Sequence, residues 1–333
     1  MLRPVVLVGD IGGTNTRLEL LHLADPPQVL SARSYRNDDY PDLTAIGQAF
    51  LAQAAARPEL ACLAVAGPVE ENTMNLTNRN WRITGDALAQ QWDIPQVRFL
   101  NDLEAVGYGL LQLTPADWVV LQEGKKVPGA PIGVVAAGTG LGECFLTWDG
   151  QQYRVWPSEG GHVDFAPRND RELGLWRYLQ AQFGRVSAER VVSGPGLWNI
   201  YRYLAQVYPE QAKAEILARQ DPAMITACLH DPLCSQAVDI FIANYGSEAG
   251  NLALKLLARG GIYLAGGIAP QLVERFQQGG FLRAFSDKGR MGPLLAQIPV
   301  YLITNPRVGL LGATAAARSF LAGQSNCPPA GPS

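Results

Sequence analysis

Val5-Val6-Leu7-Val8-Gly9-Asp10-Ile11-Gly12-Gly13-Thr14-Asn15-Thr16-Arg17 is an apolar run that empties into a glycine-rich turn. Glycines at 9, 12 and 13 let the backbone turn tightly and approach a ligand, as a phosphate-binding loop requires. The odd member is Asp10. A carboxylate among phosphate-binding amides would repel a bare polyphosphate, so it makes sense when a divalent cation arrives with the nucleotide. Mg²⁺ bridges carboxylates and phosphates in this way. No Gly-Lys-Ser/Thr follows, so this is not a Walker A loop, and the glycine spacing is not that of a dinucleotide fingerprint. Nor does a helix follow: from Arg17 to Leu23 polar and apolar residues mostly alternate, the period of a half-buried strand. Strand, glycine turn and strand describe a hairpin that clasps phosphates. The competing reading is an ordinary hairpin whose Asp10 orders the turn.

The same element recurs. Ile132-Gly133-Val134-Val135-Ala136 reads as a strand, Gly138-Thr139-Gly140-Leu141-Gly142 as a glycine turn, and Glu143 to Trp148 as the returning strand. Two such hairpins facing each other across a cleft would grip a nucleotide's phosphates from both sides. A third turn, Ala265-Gly266-Gly267, follows the apolar run Gly261 to Leu264. Elsewhere Leu60 to Ala66 reads as a buried strand, and Val97 to Leu100 as a short one leading into Asn101-Asp102. Helices are expected from Pro41 to Ala56, Leu103 to Leu113, Asp170 (as N-cap) to Phe183, Pro195 to Val207, Leu233 to Ala258 and Gly309 to Leu321. Alternating strands and helices make the class α/β. The first unit ends near Leu113, and the Ala-rich last helix is placed to return onto it.

A chain of 333 residues is long enough for about two domains and a large core, and 47% hydrophobic with 17% charged residues is a globular composition. A net charge of -3 argues against a nucleic-acid binder. The five cysteines are scattered without a CxxC, which indicates neither a disulfide framework nor a zinc site and fits a reducing cytoplasm. The apolar run before Asp10 is too short for a signal-peptide core, and no apolar stretch reaches membrane-spanning length. Gly323 to Ser333 is rich in Pro, Gly and Ser and is expected to be disordered.

Asn101-Asp102 stands where a strand gives way to a helix, a place where open α/β sheets bind ligands; Asp102 as a plain N-cap is the alternative. Ser158-Glu159-Gly160-Gly161-His162 puts a carboxylate and an imidazole on one glycine-rich loop. Ser187-Ala188-Glu189-Arg190 puts another carboxylate at an expected helix start, before the turn Ser193-Gly194-Pro195-Gly196. A lone His is more often structural, and Glu189 has the bland reading of a charge at a helix N-terminus. Taken together, Asn, Asp, Glu, His and Glu on loops form a polyol-binding set, because carboxylates and amides satisfy adjacent hydroxyls in pairs. None has the ligand spacing of a zinc site.

GDIGGTNTR (9–17), FLNDLEAV (99–106), AAGTGLG (136–142), SEGGHVDFAP (158–167), SAERVVSGPG (187–196) and YLAGGIAP (263–270) together resemble the bacterial glucokinases of the hexokinase and actin-like ATPase superfamily. The likeness runs in order from Val5 to Leu321. SEGGHVDFAP and SAERVVSGPG are specific to that family, whereas the glycine turns are generic to the superfamily. Related ROK-type kinases carry a cysteine-rich zinc motif shortly after the equivalent His; Val163 to Gly184 contains no cysteine, which points away from that branch.

The resemblance implies a two-domain actin-like ATPase (hexokinase-type, ribonuclease H-like) fold with a central cleft. It divides the chain into a small α/β domain (1–113 plus 304–321), a large one (114–303) and the tail 322–333. It implies ATP-dependent phosphorylation of the 6-hydroxyl of glucose in a cytoplasmic homodimer. Asp102 would be the general base and, with Asn101, Glu159, His162 and Glu189, would hold glucose. Gly9, Asp10, Ile11, Gly12, Gly13, Thr14 and Asn15 would line one side of ATP, with Gly138, Thr139 and Gly140 on the other. Gly266 and Gly267 would lie near the adenosine, and Asp10 would position Mg²⁺ through water. Another hexose such as mannose or N-acetylglucosamine, a catalytically silent sugar sensor, and ADP or polyphosphate as donor stay open at this level.

Overall fold

The computed structural model describes residues 4–76, 79 and 81–323; Cys327 and the expected disorder from residue 324 onward lie outside the described residues. The described residues up to Leu113, with those from Pro306 onward, form one compact unit, and Thr114–Asn305 form another.

The first unit contains strands β1 (Val5–Ile11), β2 (Asn15–His22), β3 (Gln28–Arg36), β4 (Leu60–Val65), β5 (Val69–Glu70), β6 (Thr73–Leu76), β7 (Trp81–Thr84) and β8 (Val97–Asn101). Its helices are α1 (Leu43–Leu51), α2 (Gly85–Trp92) and α3 (Asp102–Leu110). The main sheet has the order β3-β2-β1-β4-β8. Pairs β1–β2 and β2–β3 are antiparallel, while β1–β4 and β4–β8 are parallel. Every residue of β4 is buried, as a central strand covered on both faces requires. Helix α1 is shorter than expected. The Asp42 carboxylate caps it through the Ala45 N–H, and its buried stripe of Leu43, Ile46 and Phe50 is complete by Leu51.

The second unit holds β9 (Trp118–Gln122), β10 (Ile132–Ala137), β11 (Leu141–Trp148), β12 (Tyr153–Ser158), β13 (Gly261–Ala265) and β14 (Val300–Ile303). Its helices are α4 (Asp170–Phe183), α5 (Gly194–Val207), α6 (Ala214–Arg219), α7 (Pro222–Ala227), α8 (Pro232–Leu256), α9 (Val273–Gln277), α10 (Gly280–Ser286) and α11 (Gly292–Leu295). The sheet order is β12-β11-β10-β13-β14-β9. Apart from the edge strand β9, this repeats the first sheet in order and direction: two antiparallel pairs, then two parallel ones. The twice-used hairpin of the sequence is thus the start of a twice-used sheet. Asn169, not Asp170, caps α4, its side chain accepting from the Glu172 N–H.

Helix α12 (Val308–Leu321) closes the first unit. Alternation along β1 sends Val6 and Val8 to the face where Leu310, Ala313 and Ala317 pack, and Val5 and Leu7 to the face shared with Ile46 and Phe50. A Cβ on Gly312 would collide with the Ala105 carbonyl, so glycine is what lets α12 lie against α3. The boundary falls two residues beyond the 303/304 junction expected from the sequence. Thr304 N–H and the Asn305 amide both donate to Asp117, at 2.8 Å, which keeps those residues in the second unit. Among the described residues no helix is long and apolar enough to cross a membrane.

Candidate active site

In the first unit the turn between β1 and β2 is held from outside. Gly12 N–H donates to the Asn15 carbonyl at 2.9 Å. Asn37, fully buried just after β3, donates its amide to the Gly12 carbonyl and its backbone N–H to Thr14, and accepts from the Thr16 hydroxyl. Arg79 adds its Nε–H to the Gly13 carbonyl and pairs with Asp38 at 2.6 Å. Within this loop the candidate residues divide. Gly9 and Ile11 lie inside β1 and are buried; a Cβ on Gly9 would press on Leu18 and Leu63, so that glycine serves packing rather than the turn. At Gly13 an added Cβ meets nothing, so the protein's own packing does not require glycine there. Thr14 and Asn15 are exposed.

Asp10 pairs in register with Arg17 across the hairpin. Burial pushes its carboxyl above the usual range, and Arg17 pulls the other way. A desolvated carboxylate beside an open glycine turn is the kind of group a hard cation neutralises, so the donor fits Mg²⁺. Asp10 and the pair Asn101-Asp102 share one edge of the sheet, at the C-terminal ends of the parallel strands β1 and β8, with β4 between them.

The cap of α3 is Asn101, whose Oδ1 accepts from Leu103 N–H at 2.9 Å and Glu104 N–H at 3.3 Å, while its amide donates to the Gly67 carbonyl. Asp102 is the first residue of the helix, and its Oδ1 also accepts from Leu103 N–H. The plain N-cap reading therefore belongs to its neighbour. Burial raises the Glu104 carboxyl to about 7, with the Asn101 backbone opposing.

The second unit gathers the other candidates. The turn carrying Glu159 and His162 follows β12, with the two side chains largely exposed and His162 Nε2 3.8 Å from Glu159 Oε2. Ala188 N–H donates to the Val163 carbonyl at 2.8 Å, and Asp164 bridges Ser187, so this turn is laced to the one bearing Glu189. Glu189 stands on a single 3-10 turn, Ala188–Arg190, and not at the start of α5, which Ser193 caps instead. Its Oε2 accepts from the Leu141 N–H at 3.0 Å and would lie 2.6 Å from a Cβ on Gly140. Gly194 N–H donates to the Gly138 carbonyl at 2.8 Å. Gly266, at a φ of +85°, packs on Ala137, where any side chain would collide. Added Cβ atoms on Gly138 and Gly267 meet nothing; Thr139 is exposed.

Two further residues pack against these turns and have no local sequence signature. Tyr245 on α8 is fully buried, with its hydroxyl 2.8 Å from the Val135 carbonyl, 3.2 Å from that of Ala265 and accepting from Ala137 N–H. It ties together the strand ends that carry the Gly138 and Gly266 turns. Glu143 on β11 lies under Gly160. A cavity of about 850 Å³ between α8 and α10, lined by Arg168, Asp239, Arg275 and Arg283 among others, contains none of the candidate residues.

A sheet used twice, each time opening on a glycine-turned hairpin, defines the actin-like ATPase fold of the hexokinase-type sugar kinases. A family model described as Glucokinase matches residues 7–320. The glucokinase of Nostoc sp. strain PCC 7120 is 47% identical, covering 93% of this chain and 97% of its own. The chain belongs to the glucokinase family. Among solved structures, a glucokinase from an Antarctic psychrotroph matches with a TM-score of 0.82 at 32% identity, over 95% of this chain and 99% of its own. The glucokinase of Balamuthia mandrillaris in complex with glucose has a TM-score of 0.83 at 24% identity, over 95% and 94%, a likeness of fold.

Proposed function

We propose that this protein transfers the γ-phosphoryl group of ATP to the 6-hydroxyl of glucose, giving glucose 6-phosphate and ADP. The observation that carries the reading is Glu189: one carboxylate touches Gly140 and Leu141 of a phosphate-type turn and sits on a loop laced to Glu159 and His162. Sugar-type and phosphate-type elements are thereby parts of one small region. On this reading Asn101, Glu159, His162 and Glu189 hold the sugar hydroxyls, and Asp102 accepts the 6-hydroxyl proton as the bond to phosphorus forms. Phosphoryl transfer is mostly positioning and charge stabilisation, so a carboxylate base and amide-rich turns suffice for the protein's share. Gly12 to Asn15 and Gly138 to Gly140 would bind the phosphates, with Gly266 and Gly267 toward the nucleoside. Bound Mg²⁺ supplies charge neutralisation at the phosphates, and Asp10 would hold it, through water. A cytoplasmic homodimer belongs to the same proposal; Cys62, Cys228 and Cys234 form no disulfide among the described residues, as a reducing compartment allows.

The test is production of glucose 6-phosphate from glucose, ATP and Mg²⁺, coupled to its oxidation, with mannose and N-acetylglucosamine in parallel. The expected result is turnover with glucose well above the other hexoses; sugar-independent or absent ADP release would sink the proposal. Light scattering on the purified protein checks the dimer.

A further inference from the structure

Glu143 is 1% exposed, opposite Val135 on β10 and Ser158 on β12. Its carboxyl group lies directly beneath Gly160, where any Cβ would collide with Oε2 and Cδ, while Oε1 has no hydrogen-bond partner among the described residues. Gly160 follows Glu159 and opens the 3-10 turn that ends in His162, and Gly160 N–H is itself held by the Ser158 hydroxyl at 3.0 Å. The glycine exists because the carboxyl group occupies the room a side chain would need. Nothing in the phosphate turns or the sugar set uses Glu143 directly.

We propose that Glu143 is a positioning residue for the sugar-binding turn: its buried carboxyl group is the seat on which Gly160, and with it Glu159 and His162, rests. This rests on the reading of Glu159 and His162 as glucose ligands. The surroundings favour the uncharged form. From α8 the group is faced by Tyr245, Glu248 and Lys255. Glu248, buried, is 3.9 Å from Lys255 and accepts from Asn251, and Lys288 stands behind it, bonded to Ser247 and Asn251. On the turn side Gly160 is followed by the exposed His162 and preceded by the exposed Glu159. Burial, then Glu248, raise the Glu143 carboxyl to about 8, with Lys255 opposing. An ionised carboxylate at that spot would demand solvation, which the seat can give only by releasing the turn.

The consequence is a glucose KM that depends on pH. If only the protein with neutral Glu143 presents the turn correctly, apparent affinity falls with the neutral fraction, to roughly one-tenth at pH 9. Steady-state kinetics of the intact enzyme between pH 7 and 9 should therefore show glucose KM rising about tenfold in the wild type, with KM for ATP flat. Glu143→Gln, the same shape without a titrating proton, should hold glucose KM near the wild-type pH 7 value throughout. Glu143→Ala should raise glucose KM at every pH. The idea fails if Glu143→Gln follows the wild-type profile, or if a folded Glu143→Ala binds glucose as the wild type does; should the alanine variant not fold, the glutamine profile decides alone. Glu159→Gln, measured alongside, separates the two levels. An unchanged glucose KM there overturns the sugar-turn reading and the seat with it. A raised one, with Glu143 variants behaving as wild type, overturns only the seat.

Discussion

At the scale of single residues, the chemistry depends on what each side chain is already committed to. Asn101 spends its side-chain oxygen on capping α3 and one amide hydrogen on Gly67, which fixes the first turn of the helix and hence the place of Asp102. Asp102→Asn keeps the helix start and removes a proton acceptor. Its turnover number should fall by about 10²- to 10⁴-fold, the usual worth of a general base, with glucose affinity within a few-fold of wild type. Rapid-quench turnover and calorimetric glucose binding check both halves; near-normal turnover would dismiss Asp102 as the base. The motif residues were legible in the sequence because they sit on short glycine-rich stretches with distinctive neighbours. Asn37 was not: it reaches the Gly12 carbonyl from 25 positions away, out of an ordinary polar run.

At the scale of elements, the glycine turns are only as good as the strand ends that present them. Tyr245 projects from the 25-residue α8 onto the ends of β10 and β13, and burial pushes its hydroxyl pKa up, so it stays a neutral donor and acceptor. Tyr245→Phe leaves the Val135 and Ala265 carbonyls and the Ala137 N–H without that partner. It should cost about 1–3 kcal/mol of stability, as unsatisfied buried groups do, and raise KM for ATP more than KM for glucose. Urea unfolding and kinetics with each substrate varied test this, and an unchanged KM for ATP would deny the link to the turns. Strand and helix identities followed from periodicity, but ends followed from caps. Asn169 and Ser193 take the caps of α4 and α5 one or two residues before the expected starts, since the cap depends on which side chain meets the N–H groups.

At the scale of the whole molecule, several acids are kept unusually protonated. Burial raises Asp10, Glu104 to about 7 and Glu143 to about 8. The sign follows from linkage. Below the ordinary carboxylate range both folded and unfolded chains are protonated and nothing is lost. As pH rises from there toward 8 the unfolded chain ionises first, so stability falls, and above 8 the loss levels off. Asp149, held down to about 2 by Gln152, Arg154 and Gln151, acts only at acid pH, outside this window. Urea midpoints should therefore drop between pH 5.5 and 8.5, and Glu143→Gln should recover on the order of 1–3 kcal/mol of that drop. Parallel slopes in variant and wild type would mean that Glu143 ionises freely in the folded protein.

By itself the sequence determined the α/β class, the doubled hairpin and the family, because backbone turning, strand periodicity and phosphate approach are local demands that glycine and alternation write directly into the chain. It could not say that the two hairpins begin sheets of the same strand order, nor that α12 closes the first unit through Gly312 and Gly109, because those are long-range contacts. Only the tertiary structure decided which groups brace the turns: Asn37, Tyr245 and Glu143 act from distant segments, where burial and the neighbours met in space, rather than the neighbours in sequence, set what a side chain does.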